Sequence, residues 1–369
     1  METKKMKFIV SGGGTGGHIF PAISIANALK KKCPDADILF VGAEGRMEME
    51  KVPQAGYDIK GLPICGLDRK NPLKNFKVIY KLLKCISMAK KIVKDFAPDA
   101  VVGVGGYASA PTLYAANKQG IPIFLQEQNS FAGKANKWLA KKARKICVAY
   151  DNMDRFFPAD KIILTGNPVR QNLMDVPFKD PAALAAFNLD PNKKTLLIIG
   201  GSLGARTINQ SVIGGLQKLK DAGIQVIWQT GKYYYENAKK EADNSNNPLL
   251  NCTAFVRNMD QAYAVADLVI SRAGASSISE LCLLAKPSVL VPSPNVTEDH
   301  QTHNALALAD KGAAVMVKDV EAQSQLIDTV LNLINDNGKL KELSDNVLKL
   351  AQKDSADRIA DIILNEIKK

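Results

Sequence analysis

The sequence predicts an α/β protein built from two Rossmann-like, doubly wound domains. Short apolar strands alternate with helical segments through both halves, which is the pattern of parallel sheets covered on both faces. Each half opens on a strand that runs straight into a glycine-rich turn and a helix, at residues 12–17 and 200–206. A length of 369 residues suits two cores better than one. The expected domains are residues 1–166 and 167–353, with a C-terminal helix at about 354–369 packing back on the first.

In the first half, Lys7 to Ser11 reads as a strand, followed by Gly12-Gly-Gly14-Thr15-Gly16-Gly17-His18 and a helix through Leu29. Ala22, Ile25, Ala26 and Leu29 recur at helical spacing, with Pro21 expected in the first turn, where a missing N–H costs little. The loop satisfies G-x-G-x-x-G, so an NAD(P)-dependent oxidoreductase is one reading. Against it, the next strand, Asp37 to Val41, runs into Gly42-Ala43-Glu44, and its acid is not at the strand end where ribose recognition wants it.

A second loop, Gly105-Gly106-Tyr107, follows the strand Val101 to Val104, and the pair suggests a surface that wraps a large phosphorylated ligand. The strand Ile121 to Leu125 ends in Gln126-Glu127-Gln128-Asn129, which reads either as a ligand site at a sheet edge or as a polar loop. Strands at Ile146 to Ala149 and Ile162 to Leu164 lead to a linker, Gly166 to Arg170.

The pattern then restarts. Thr195 to Ile199 is a strand running into Gly200 to Arg206, and further strands are expected at Gln225 to Gln229, Cys252 to Val256, Leu268 to Ser271 and Ser288 to Val291. The turn Arg272-Ala-Gly274 opens a helix whose first-turn N–H groups and serine hydroxyls would seat a diphosphate. Glu280 follows on that helix, and Asp299, His300, Gln301, His303 and Asn304 follow the next strand. A carboxylate near a phosphate seat suits sugar hydroxyls, so an activated sugar is the expected ligand; a helix-capping Glu on a surface βαβ unit is the plainer reading.

Composition narrows the class. With 46% hydrophobic and 23% charged residues the chain is of globular type. No apolar run approaches the ~20 residues that span a bilayer. The opening METKKMKFIVSGGG reads as a first strand and not a signal peptide, so a cytoplasmic location is expected. Six widely spaced cysteines suggest reduced thiols with no disulfide frame, and no metal motif is present.

Residues 1–170 carry 28 Lys+Arg against 14 Asp+Glu, a balance of +14; the remainder has 21 against 23, or −2. No nucleic-acid motif accompanies these lysines, and an anionic membrane surface is the expected partner. Residues 73–93 form a basic amphipathic segment, with Leu73, Phe76, Tyr80 and Leu83 on one stripe and Lys74, Lys77, Lys81, Lys84 and Lys91 on another side. It reads as membrane-surface or as core-packed with a solvated lysine face.

In order, GGGTGGHIFPA, GGYASAP, EQN, GNPVR, GGSLGAR, SRAGA-x-x-x-x-E and DHQ-x-x-NA span residues 12–305. This series resembles the MurG family of peptidoglycan N-acetylglucosaminyltransferases. The resemblance implies two Rossmann-like domains facing across a cleft, the glycosyltransferase B architecture. It also implies inverting transfer of N-acetylglucosamine from UDP-N-acetylglucosamine to the C4 hydroxyl of undecaprenyl-diphospho-N-acetylmuramyl-pentapeptide (lipid I), with no cofactor or catalytic metal, at the cytoplasmic face of the cell membrane.

By motif, the resemblance places Thr15, Gly16 and Gly17 near donor and acceptor and Asn129 at the sugar. It puts Arg170 and Ser202 at the diphosphate region, Val256 at the uracil, Glu280 at the ribose and Gln301 at the sugar hydroxyls. Gly14, Gly105, Gly106 and Tyr107 fall on the acceptor side. The catalytic base is His18 or Glu127, since a neutral imidazole or a carboxylate can take the acceptor proton. The chain departs from the family at Gln126, Ala110 and Leu203. Another UDP-sugar enzyme of the same architecture, a glycolipid glycosyltransferase or an epimerase, is the alternative.

Overall fold

The computed structural model describes residues 5–64, 75–169 and 171–368, the side chains of residues 75–82, 171, 172 and 297 excepted. The chain divides into two compact units, residues 1–169 with 353–369, and residues 170–352.

The first unit holds a seven-stranded sheet in which every described pair is parallel. Its strands are β1 (Lys7–Gly12), β2 (Asp37–Ala43), β3 (Asp58–Leu62), β4 (Ala100–Gly105), β5 (Ile123–Glu127), β6 (Lys145–Val148) and β7 (Ile162–Leu164). The order β3-β2-β1-β4-β5-β6-β7 is doubly wound and reverses between β1 and β4, where ligands of such sheets sit beyond the carboxyl ends of the strands. Helices α1 (Gly16–Lys32), α2 (Glu48–Gln54), α3 (Asn75–Phe96), α4 (Ser109–Lys118) and α5 (Lys134–Leu139) connect them.

Strand alternation sorts the core into two layers. Ile9, Leu39, Val41, Val101 and Leu125 meet Cys85, Ala89 and Val93 of α3 and Leu113 of α4 on one face. Phe8, Val10, Phe40, Val102 and Phe124 meet Ile25 and Leu29 of α1 on the other. The C-terminal helix, Ser355–Ile367, adds Ile359, Ala360, Ile363 and Leu364 to that second layer, and its Arg358 Nη2 donates to the Leu164 carbonyl at 2.7 Å. These residues bury an apolar face at helical spacing, so the last turns of the chain complete the first core.

The second unit repeats the plan with six parallel strands in the order β10-β9-β8-β11-β12-β13. They are β8 (Thr195–Ile199), β9 (Gln225–Gln229), β10 (Leu250–Thr253), β11 (Leu268–Ser271), β12 (Ser288–Leu290) and β13 (Val315–Met316). Its helices are α6 (Pro181–Ala186), α7 (Arg206–Asp221), α8 (Tyr235–Asn244), α9 (Met259–Val265), α10 (Ala275–Leu283), α11 (His300–Ala309), α12 (Ala322–Ile334) and α13 (Asn337–Leu348). The sheet again reverses direction, here between β8 and β11, which puts the turns at residues 200–206 and 272–274 at its switch point.

Several expected boundaries move. Helix α1 starts at Gly16, so Pro21 lies in its second turn and not its first, and the Gly17 carbonyl has no N–H four residues on. Strand β5 begins at Ile123 and runs through Glu127, which takes Gln126 and Glu127 into the sheet. Strand β10 ends at Thr253, leaving Val256 beyond it.

A buried lysine gives the second unit a measurable signature. Lys286 donates to the Ala266 carbonyl at 2.9 Å and stands 4.5 Å from the Phe178 ring centroid. Burial pulls its ammonium down from 10.5 to about 8, against the attraction of Asp267. From pH ~8 to ~10.5 the unfolded chain holds at this lysine a proton that the folded one has shed, so the contribution of Lys286 to stability rises with pH there. The gain is about 3 kcal/mol. The buried thiols Cys147, Cys252 and Cys282, pushed up to about 12, 11 and 12, act in the opposite sense in both proteins, so urea unfolding across that window should show wild-type stability rising relative to Lys286→Met; parallel curves would contradict it.

Candidate active site

The two glycine loops of the first unit pack against each other. The Gly13 N–H donates to the Gly105 carbonyl at 3.2 Å, and a Cβ at Gly106 would overlap the Gly13 backbone. Gly14, Gly105 and Gly106 have φ of +87°, +95° and +89°, conformations that a side chain would strain. Close approach of loop to loop is therefore one thing Gly106 is for, a use that the wrapped-ligand expectation did not include.

His18, in the first turn of α1, lies against this joint. A Cβ at Gly105 would stand 2.7 Å from its Cδ2 and 2.8 Å from its Nε2, so the missing side chain makes room for the imidazole. Thr15 Oγ1 lies 3.3 Å from Nδ1, which fixes the ring from the other side. Thr15 is also the N-cap residue of α1, and the N–H groups of Gly16 and Gly17 belong to the first turn, which has no intrahelical acceptors. Tyr107 is half exposed beside the second loop.

The polar run after β5 turns mostly inward. Gln126 donates to Asn167 Oδ1 at 2.9 Å, Gln128 donates to the Val104 carbonyl at 2.8 Å, and both amides are buried. The Glu127 carboxylate, 2% exposed, accepts from the Asn129 N–H (3.1 Å), Asn129 Nδ2 (3.3 Å), the Gly133 N–H (3.1 Å) and Asn136 Nδ2 (2.8 Å). Burial holds its carboxyl above the ordinary carboxylate range against the pull of those donors. A carboxylate with about four lone-pair sites has little left for an incoming hydroxyl. This geometry makes Glu127 a support for the Asn129 turn more readily than a base.

The second unit carries a cavity of about 700 Å³ at its switch point. Gly200, Gly201, Gly204 and Ala205 of one turn and Ser271, Arg272, Gly274 and Ser277 of the other line it, with Gln301 across from them on α11. Gly274 is the extended N-cap of α10, so the N-terminal ends of that helix and of α7 border one space. Arg272 Nη1 donates to the Val291 and Pro292 carbonyls at 3.0 and 3.1 Å and to Asp319 Oδ1 at 2.5 Å, which fixes a guanidinium at the cavity wall. Gln301 Oε1 accepts the Ser293 N–H at 2.9 Å, orienting its amide.

Of the expected donor residues that are described, only Gln301 lines this cavity; Glu280, Val256 and Ser202 are not part of its lining. Glu280 is buried and its Oε2 accepts from the Tyr263 hydroxyl at 3.0 Å. Val256 is buried, its N–H donating to Gln229 Oε1 at 2.9 Å, and Ser202 is exposed on the turn after β8, its carbonyl accepting the Lys232 N–H at 3.3 Å. Arg170 lies outside the described residues. Sequence reasoning gave no role to Glu48, whose carboxylate accepts the Gly14 N–H at 2.8 Å, or to the Arg272–Asp319 pair. Among the described residues, no group of three His, Cys, Asp or Glu side chains is placed to hold a metal ion.

Comparison with known proteins decides between the enzyme classes left open. The glycosyltransferase family 28 N-terminal domain matches residues 8–148, and the glycosyltransferase family 28 C-terminal domain matches residues 195–359. A protein of Parabacteroides distasonis is 60% identical over 366 residues, covering 99% of this chain and 100% of its own. One of Phocaeicola vulgatus is 60% identical over 358 residues, covering 97% and 95%. Both are named UDP-N-acetylglucosamine–N-acetylmuramyl-(pentapeptide) pyrophosphoryl-undecaprenol N-acetylglucosamine transferase.

The crystal structure of Acinetobacter baumannii MurG superposes with a TM-score of 0.80 at 27% identity, covering 98% of this chain and 99% of that one. The chain belongs to the MurG family. Its two doubly wound units are thus those of a MurG glycosyltransferase, of the glycosyltransferase B class, and the dinucleotide reading of the first loop falls away. A UDP-GlcNAc 2-epimerase from Neisseria meningitidis also superposes, with a TM-score of 0.66 and 18% identity over 98% of this chain and all of the other, and it shares the fold alone.

Proposed function

We propose that this chain transfers N-acetylglucosamine from UDP-N-acetylglucosamine to the C4 hydroxyl of lipid I, with inversion, giving lipid II and UDP. The observation that carries this reading is 60% identity over essentially the whole chain to relatives that bear that transferase name.

The cavity geometry supports a division of labour. The second unit is the donor domain: the N–H groups at the starts of α7 and α10 and the fixed Arg272 stabilise the diphosphate, whose leaving group gains negative charge as the glycosidic bond breaks. Glu280, held by Tyr263, accepts the ribose hydroxyls, Val256 packs at the uracil, and Gln301 holds the sugar, with Ser202 and Arg170 toward the phosphates. The first unit is the acceptor domain. Gly14, Gly105, Gly106 and Tyr107 form its surface, Thr15, Gly16, Gly17 and Asn129 meet the transferred sugar, and His18 takes the proton from the C4 hydroxyl as the new bond forms.

No helix among the described residues is long and apolar enough to cross a membrane. Attachment at the cytoplasmic surface of the membrane is proposed through α3, on the basic character of that helix. Within its described side chains Cys85, Ala89 and Val93 enter the core while Leu83 is 63% exposed beside exposed Lys84, Lys90 and Lys91. Leu73 and Lys74 lie outside the described residues, as do the side chains of Phe76, Lys77, Tyr80 and Lys81. Vesicle sedimentation should show binding that needs anionic lipid and weakens with salt. Equal, negligible binding to neutral and anionic vesicles would rule out this mode.

The activity itself is tested with UDP-N-acetylglucosamine and a short-chain lipid I analogue. A β-linked disaccharide product and stoichiometric UDP are expected; free N-acetylmannosamine or an unchanged acceptor would refute the reading.

A further inference from the structure

A carboxylate beneath the first glycine loop has no part in the roles described above. Glu48, the first residue of α2, is 1% exposed. Its Oε2 accepts the Gly14 N–H at 2.8 Å and its Oε1 accepts the Ala43 N–H at 3.0 Å. Two glycines make room for it: a Cβ at Gly13 would overlap the carboxylate, and one at Gly42 would stand 2.6 Å from Glu48 Cγ. The side chain therefore bridges the carboxyl end of β2 to the loop after β1.

The bridge acts on the stretch that carries the imidazole. Gly14, at φ +87°, is followed directly by Thr15, whose carbonyl accepts the His18 N–H at 3.1 Å and whose hydroxyl lies 3.3 Å from His18 Nδ1. Gly14 thus joins a buried, two-point anchor to the first turn that aims the ring. The anchor also takes up the Gly14 N–H within the protein. The loop is built to hold its own shape.

We infer that Glu48 is a positioning residue for His18, fixing the first glycine loop so that the imidazole stands where the acceptor proton is taken. The inference rests on the reading of His18 as the base. Glu48→Gln keeps the shape but offers one acceptor oxygen, so its amide NH2 must face one of the two backbone N–H groups. Small displacements of a reacting group cost up to about 100-fold in rate, so kcat should fall about 10–100-fold while UDP affinity is retained.

The decisive experiment is a double-mutant cycle with His18→Ala, read as kcat with UDP affinity measured alongside. If Glu48 acts through His18, adding Glu48→Gln to His18→Ala should cost less than about threefold more. An equal loss in both backgrounds, or wild-type kcat in folded Glu48→Gln, overturns the inference. Wild-type kcat in His18→Ala alone overturns the base assignment itself. Gly42→Ala serves where Glu48→Gln does not fold, since it keeps the carboxylate but displaces it. The same kcat-selective loss is expected, and wild-type turnover in that variant would overturn the inference.

Discussion

His18→Ala is expected to lower kcat by about 10² to 10⁴-fold, the range of a positioned general base. The imidazole is set by structure and not by chance exposure: Thr15 Oγ1 at 3.3 Å from Nδ1 orients one side, and the space left by Gly105 receives the other. Gly105→Ala should reproduce part of the loss, because its Cβ would press on the ring and its φ of +95° disfavours any side chain. A role limited to orienting the acceptor predicts instead a raised acceptor KM with kcat little changed. Near-wild-type kcat at saturating acceptor would return attention to Glu127. That carboxylate would first have to give up hydrogen bonds to Asn129, Gly133 or Asn136.

Glu280→Ala is expected to raise the donor KM by about 10- to 150-fold, the equivalent of losing 1.5 to 3 kcal/mol of charge-assisted hydrogen bonding to a diol. Tyr263 is fully buried and donates to Glu280 Oε2 at 3.0 Å, so the protein itself orients this carboxylate. Removing the carboxylate also takes this acceptor from the Tyr263 hydroxyl, and a lower Tm should accompany the kinetic change. Glu280→Gln, which keeps an acceptor oxygen without the charge, should fall between. An unchanged donor KM in folded Glu280→Ala would remove Glu280 from the ribose.

Much of this was legible locally. Strands β7, β8, β9 and β11 lie where apolar runs of three to five residues flanked by polar or glycine positions put them, because buried parallel strands read as short apolar blocks. Strand β3, DIKGL, was not foreseen, since an edge strand that alternates charged and apolar residues over five positions gives a weak signal. The two-residue β13 gives none. The turns that line the second unit's cavity were readable as strand–glycine–helix junctions. What those glycines touch was not: Gly106 meets Gly13, and Gly105 meets His18, across about 90 residues of sequence. Glu48 was missed for the same reason, its partner Gly14 standing 34 residues away across a tertiary contact that no local pattern encodes.

The account turns on UDP being held by the second unit while the first supplies the reacting base. Calorimetric titration of UDP into the wild type, His18→Ala and Glu280→Ala tests that division most directly. UDP should bind His18→Ala with a Kd within a few fold of wild type and Glu280→Ala about 10-fold or more weakly, by loss of its ribose contact. The reverse order, with UDP binding lost in folded His18→Ala and kept in Glu280→Ala, would contradict it.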